Sequence, residues 1–129
     1  MNVVDSSAWL EYFAGGPNTS YFSAAVEDVE ALIVPSICIY EVFKRVLQQR
    51  DENSALQAIA QMRLGKVVAL DDLLAIEAAH LSHGLKLAMA DSIILATAKH
   101  FDAVVWTQDD DFDGLPGVHY RAKVKTPKT

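Results

Sequence analysis

Four stretches of this 129-residue chain set carboxylates among apolar neighbours, where a charge is costly unless something binds it. Val3-Val4-Asp5-Ser6-Ser7 ends a β-branched run on an acid, and Ile39-Tyr40-Glu41-Val42-Phe43 places one within a helical pattern. Asp91 interrupts the Ala-rich stretch Leu87-Ala88-Met89-Ala90 and Ile93-Ile94-Leu95-Ala96. The run Asp109-Asp110-Asp111 follows the apolar segment Val104-Val105-Trp106. Each acid also has a structural reading. Asp5 and Asp91 could cap helices, Glu41 could pair with Lys44 or Arg45 one turn on, and the aspartate run could be a polar turn. Basic residues near Asp91, namely Lys86 and Lys99, occupy surface-like positions. A hard divalent cation is the simplest common partner. Mg²⁺ takes oxygen ligands and typically needs only one or two carboxylates beside water and phosphate.

The elements that must position these acids follow from hydrophobic period and punctuation. Asn2 to Val4 predicts a first strand, and Trp9, Leu10 and Phe13 a short helix broken at Gly15-Gly16-Pro17. Asn18 is expected to cap a second helix. Leu32 to Val34 predicts a strand stopped by Pro35, and Ser36 the cap of a helix with Ile37, Tyr40, Phe43 and Leu47 on its apolar face. A helix over about 52–64 precedes a third strand over 67–70. Asp71 is expected to cap a helix reaching about Ser82, with a break at Gly84. A helix over about 90–100, a fourth strand over 103–106 and a weaker strand over 118–120 complete the pattern. Short strands alternating with helices imply parallel pairing through right-handed crossovers, in an α/β/α sandwich with a short, mainly parallel central sheet. Ligands in such sheets sit beyond the carboxyl ends of the strands. Asp5 and the segment from Thr107 to Asp111 lie there.

Together the four motifs resemble those of PIN domains, in order and over nearly the whole chain. Val-Val-Asp-Ser-Ser is similar to the family's opening strand, and Tyr-Glu-Val-Phe-Lys-Arg to its helical glutamate motif. Ala-Asp-Ser-Ile-Ile-Leu-Ala-Thr-Ala resembles the third motif, and Val-Val-Trp-Thr-Gln-Asp-Asp-Asp-Phe the fourth. The length resembles that of stand-alone VapC-type toxins, with residues 1–129 as one nuclease domain. The resemblance implies catalytic and metal-binding roles for Asp5, Glu41, Asp91 and Asp109, with Asp111 as a further metal ligand. It implies pocket positions for Ser6 and Thr107, where many members carry Thr in place of Ser6. It also implies Mg²⁺, with Mn²⁺ as a substitute, an RNA substrate such as tRNA cut to leave 5′-phosphate ends, a cognate antitoxin and a homodimer. The aromatic first helix and the face carrying Tyr40 and Leu47 are candidate surfaces for such partners, although a folded core would use the same residues.

Bulk properties narrow the function classes. A net charge of −6 argues against a non-catalytic RNA-binding module, which grips phosphate with a basic surface. It permits an enzyme that reaches phosphate through a cation. Arg121, Lys123, Lys125 and Lys128 form a basic tail that is either a solvated terminus or a local offset. Lys44 or Arg45 could hold a backbone phosphate. His80 and His83 share a helix face, but a zinc site needs further His or Cys ligands. The single cysteine, Cys38, reads as a small core residue and suits a reducing compartment. The N-terminus lacks a basic leader, and no apolar run reaches the ~20 residues needed to cross a bilayer. A cytoplasmic enzyme is expected. Two alternatives remain open at this point: a non-enzymatic protein-binding module with an acidic rim, and a metal-dependent phosphatase or DNA nuclease.

Overall fold

Near-continuous apolar runs such as Leu32-Ile33-Val34 belong to strands covered on both faces, as in parallel sheets with helices on either side. The computed structural model, which describes residues 1–125, has this arrangement. Strands β1 (Asn2–Val4), β2 (Leu32–Pro35), β3 (Lys66–Val68), β4 (Val104–Thr107) and β5 (Val118–Tyr120) form a five-stranded sheet in the order β3-β2-β1-β4-β5. Every pairing is parallel, and Val3 lies opposite both Ile33 and Val105. The central strands are the buried ones, whereas β3 at one edge is largely exposed.

Six α-helices connect the strands among the described residues: α1 (Ser6–Ala14), α2 (Thr19–Val26), α3 (Ser36–Gln49), α4 (Glu52–Met62), α5 (Asp72–Leu85) and α6 (Met89–His100). The chain steps from β1 to β2 to β3 in one direction, then returns across the sheet to β4. Right-handed crossovers therefore put α1 to α4 on one face and α5 with α6 on the other. Helix contacts agree, since α1 packs on α2 and α3, α3 on α4, and α5 on α6. The strand order reverses between β1 and β4, so a crevice opens at their carboxyl ends.

The main core joins Val3, Val4, Ile33 and Val105 of the sheet to Trp9, Phe22, Val42 and Ile94 of the helices. Each large side chain of this kind contributes about 1.5–3 kcal/mol on burial. Helix α6 is buried continuously from Ser92 to Ala98. Its polar members are satisfied locally, with Ser92 Oγ donating to the Met89 carbonyl at 2.7 Å and Thr97 Oγ1 to the Ile93 carbonyl at 2.8 Å. No helix is long and apolar enough to cross a membrane among the described residues.

Several local expectations are corrected. Asn18 holds the N-cap position of α2 as expected but makes no side-chain capping bond; its Nδ2 donates to Gln108 and Ala122 instead. Ser36 is the first residue of α3 rather than its cap, and its hydroxyl accepts from the Leu70 N–H at 3.3 Å. Pro35 does not stop β2 early; it is the last paired residue, opposite Val68. The third strand covers Lys66–Val68, and β4 runs one residue further than expected, to Thr107. Gly84 does not break α5. The helix continues to Leu85 and ends where Lys86 turns left-handed at φ 57°. On α3 the buried stripe is Cys38, Val42 and Val46, while Tyr40 is 59% and Leu47 45% exposed. The face carrying Tyr40 and Leu47 is therefore outward, with Ile37 and Phe43 only partly packed on the core.

Candidate metal centre

Asp5 leaves β1 at the reversal in strand order. Its N–H donates to the Trp106 carbonyl at 3.0 Å, which continues the pairing with β4. Its carboxylate caps α1, with Oδ1 accepting from the Ala8 N–H at 3.1 Å and from Ser7 Oγ at 2.7 Å. The capping reading of Asp5 is thus correct, yet it does not exhaust the residue. Asp5 is only 2% exposed, and a cap needs no such burial. Burial pushes its carboxyl up to about 6, although hydrogen bonds from Ser7, Ala8 and Thr107 pull it back and Asp109 adds a smaller upward push.

Ser6 and Ser7, the first two residues of α1, face different acids. Ser6 Oγ donates to Glu41 Oε1 at 2.6 Å, tying α1 to α3. Ser7 Oγ holds Asp5 and accepts from the Gln108 N–H at 3.2 Å, tying α1 to the end of β4. The sequence reading marked Ser6 and overlooked Ser7 and Gln108. Consecutive hydroxyls after a capping aspartate lie about 100° apart around the helix, which is the signal that could have found Ser7.

Asp91 lies in the first turn of α6, with Ala88 as the N-cap, so Asp91 is not the cap. The helix N-terminus favours its charge by about 0.3–1 kcal/mol. This is outweighed: burial first, then Asp109, Asp5, Asp111 and Glu41, raise its carboxyl to about 7. All five acids singled out in the sequence therefore meet in one electrostatic neighbourhood, with Asp91 at its centre.

The aspartate run is divided by its own turn. Asp109 is extended and caps a single 3-10 turn, Asp110–Phe112, with Oδ1 accepting from the Asp111 N–H at 2.9 Å. Thr107 Oγ1 fixes the Asp109 N–H at 2.9 Å. A helical turn starting at Asp109 would carry Asp111 away from the acids. The turn starts one residue later, and Asp111 stays. Asp91, Asp109 and Asp111 each offer a carboxylate oxygen, all within 4.8 Å of one another. Three hard oxygen donors at this spacing, with four other acids acting on Asp91, fit a divalent cation of the Mg²⁺ or Mn²⁺ kind. Asp5 and Glu41 fall outside that tight group but close to it. Cys38 is fully buried, with its Sγ 3.8 Å from the Val4 carbonyl, and burial pushes its thiol far up.

Other sequence candidates lie elsewhere. His80 and His83 are exposed on α5 and apart from this group. Lys44 sits over the Tyr40 ring at 5.7 Å, while Arg45 lines a cavity shared with Gln108 and Lys123. Arg121 stacks over Tyr21 at 4.7 Å and so is not a freely solvated tail residue. Lys128 lies outside the described residues. A cavity of about 560 Å³ lies away from the acids. It lies among α1, α3 and α4, lined by Leu10, Phe13, Val46, Arg50, Gln57 and Gln61. Trp9 of the aromatic first helix belongs to the core, and Leu10, Phe13 and Ala14 of that helix line this groove.

Comparison with known proteins agrees with this architecture. The toxin–antitoxin complex from Klebsiella pneumoniae contains a chain that superposes with a TM-score of 0.78 at 22% identity, covering 92% of this chain and 96% of that one. VapC20 of Mycobacterium tuberculosis, described as a sarcin-ricin loop cleaving toxin, gives 0.76 at 15% identity, covering 92% and 97%. FitAcB from Neisseria gonorrhoeae gives 0.65 at 21% identity, covering 86% and 89%. No curated protein matches the sequence. The family model of the PIN domain matches residues 3–118, and the chain belongs to the PIN-domain family.

Proposed function

We propose that this protein is a metal-dependent endoribonuclease acting as the toxin of a VapBC-type toxin–antitoxin pair. The observation that carries the reading is the convergence of Asp91, Asp109 and Asp111 within 4.8 Å at the carboxyl edge of a PIN-domain sheet. Asp91, Asp109 and Asp111 would hold Mg²⁺, with Asp5 and Glu41 completing the acidic set. A bound divalent cation supplies Lewis acidity and positive charge beside the scissile phosphate. The chain's own residues do the positioning. Ser6 holds the Glu41 carboxylate, Ser7 and the Ala8 N–H hold one oxygen of Asp5, and Thr107 sets the start of the Asp109 turn. The substrate is RNA, with structured RNA such as tRNA cut to leave 5′-phosphate ends. A similar fold belongs to a toxin described as cleaving the sarcin-ricin loop, which supports the choice of RNA over DNA.

A cognate antitoxin is the proposed partner, in keeping with the antitoxin complexes among similar folds. The groove among α1, α3 and α4 offers apolar Leu10, Phe13 and Val46 beside the amides of Gln57 and Gln61, a surface suited to a protein segment. A homodimer is proposed through α5, where Leu73 and Ile76 are 68% and 56% exposed within one turn.

The test incubates the purified chain with total cellular RNA, duplex DNA and a phosphomonoester, with and without Mg²⁺, and maps the cut ends. RNA cleavage that needs Mg²⁺ and disappears in Asp91→Asn is expected. Cleavage of DNA or the monoester in place of RNA overturns the substrate. Absence of any hydrolysis, with no metal-induced stabilisation, leaves a protein-binding module.

A further inference from the structure

The acid cluster lies at one end of a longer depression. A cavity of about 400 Å³ is lined by Asp109 and Asp110 together with Ser7, Gln108, Tyr120 and Lys123. A second, of about 280 Å³, shares Ser7, Gln108 and Lys123 and continues past Glu11 to Arg45. The two form one trough that starts at Asp109 and ends between α1 and α3. Its walls carry Lys123 and Arg45 alongside Glu11, Asp109 and Asp110, and Glu11 Oε2 accepts from the Asn18 N–H at 2.7 Å.

The trough is built by a buried network. Asn18, only 4% exposed, donates from Nδ2 to the Ala122 carbonyl at 3.0 Å and to Gln108 Oε1 at 3.1 Å. The Arg121 N–H donates to the Thr107 carbonyl at 3.0 Å, and the Arg121 guanidinium lies over Tyr21. The two residues before Lys123 are thus fixed to β4 and to the start of α2. This explains why Asn18 forgoes its expected cap: its amide anchors the segment that carries Tyr120 and Lys123.

We propose that this trough holds the RNA strand on one side of the scissile phosphate. Tyr120 stacks on a base, and Lys123 and Arg45 each hold a backbone phosphate. An aromatic side chain for a base with cationic side chains for the flanking phosphates is a usual means of gripping a single strand without reading its sequence. The assignment rests on the ribonuclease reading of the acid cluster, and its test separates the two. A single-stranded RNA of about twelve nucleotides is titrated by fluorescence anisotropy against the full chain carrying Asp91→Asn, which keeps the strand uncut, over a series of KCl concentrations. Lys123→Ala and Arg45→Ala, at exposed positions, should each reduce the slope of log affinity against log salt by about 0.7, and the pair by about 1.4. Tyr120→Leu should weaken binding about tenfold with the slope unchanged. Lys66→Ala, at the amino end of β3 on the opposite edge of the sheet, should leave the slope as it was. RNA binding with an unaltered slope in the Lys123/Arg45 double variant overturns the trough, assigns it to a protein segment, and leaves the nuclease reading intact. RNA neither bound nor cleaved overturns the nuclease reading and the trough with it.

Discussion

Asp5→Asn should make the metal-free protein more stable, and the gain should depend on pH. Burial raises the Asp5 carboxyl from 3.8 to about 6. Between these values the folded chain keeps a proton that the unfolded chain has released, so stability falls as pH rises through this window. Two pH units at about 1.4 kcal/mol each give a loss of about 3 kcal/mol once the group is ionised in both states. Asparagine cannot ionise. Its side-chain oxygen can still accept from the Ala8 N–H and Ser7 Oγ, and it ranks with aspartate as a helix cap. The substitution therefore removes the burial penalty while keeping the cap. Urea denaturation in EDTA should show the variant about 3 kcal/mol more stable than wild type near pH 8, with the difference closing towards pH 4. Equal stability near pH 8, or a gain of the same size at both ends, would refute the argument that a buried, unneutralised carboxylate strains this edge of the sheet.

Mn²⁺ or Mg²⁺ should raise the melting temperature of the wild-type protein by mass action, and Asp91→Asn should shrink that shift; thermal melts across a metal titration check both. Among the three consecutive aspartates, Asp109→Asn and Asp111→Asn should each lose most RNA cleavage at limiting Mg²⁺, because both reach the tight group around Asp91. Asp110→Asn should stay close to wild type, and an inactive Asp110→Asn beside an active Asp109→Asn would mean the turn has another register. Trp9→Phe should change stability by only about 1 kcal/mol in urea, since the indole N–H is buried without a partner and removing an unsatisfied donor offsets part of the lost packing. A loss of about 3 kcal/mol or more would show that the indole N–H is satisfied after all.

What the sequence disclosed was set by local rules that tertiary structure had no reason to break. Val3-Val4 before Asp5 and Val104-Val105 before Thr107 are β-branched runs ending on polar residues, and both are central strands. Asp91, a carboxylate amid apolar residues with no local cation to serve it, stood out for that reason, and the structure sets it within 4.8 Å of Asp109 and Asp111. The capping misses share one physical origin: a polar side chain with two suitors. Asn18 and Ser36 are good caps by type, yet Gln108, Ala122 and Leu70 claim them, and these partners lie 34 to 104 residues away. Gly84 looked like a breaker, but it is exposed within a helix packed along α6, and the penalty of about 1 kcal/mol for glycine in a helix does not end it. The outward face of Tyr40 and Leu47 was ambiguous because α3 carries two apolar stripes, and only packing decides which one is covered.

The five acids differ in what holds them, and that difference orders their roles. Glu41 is fixed by Ser6, Asp5 by Ser7 and Ala8, and Asp109 by the N–H of Asp111. At Asp5 these hydrogen bonds only partly offset the cost of burial. At Asp91 burial and all four other acids oppose the charge, and only the weak field of the α6 N-terminus favours it. Near neutral pH a large fraction of metal-free protein therefore carries a proton on Asp91, whose carboxyl sits at about 7. A divalent cation between Asp91, Asp109 and Asp111 must displace that proton, which couples metal affinity to pH more steeply here than at an exposed acid cluster. The overall charge of −6 follows the same logic. Negative charge gathers where a cation is needed, and the adjoining trough sets Lys123 and Arg45 beside Glu11.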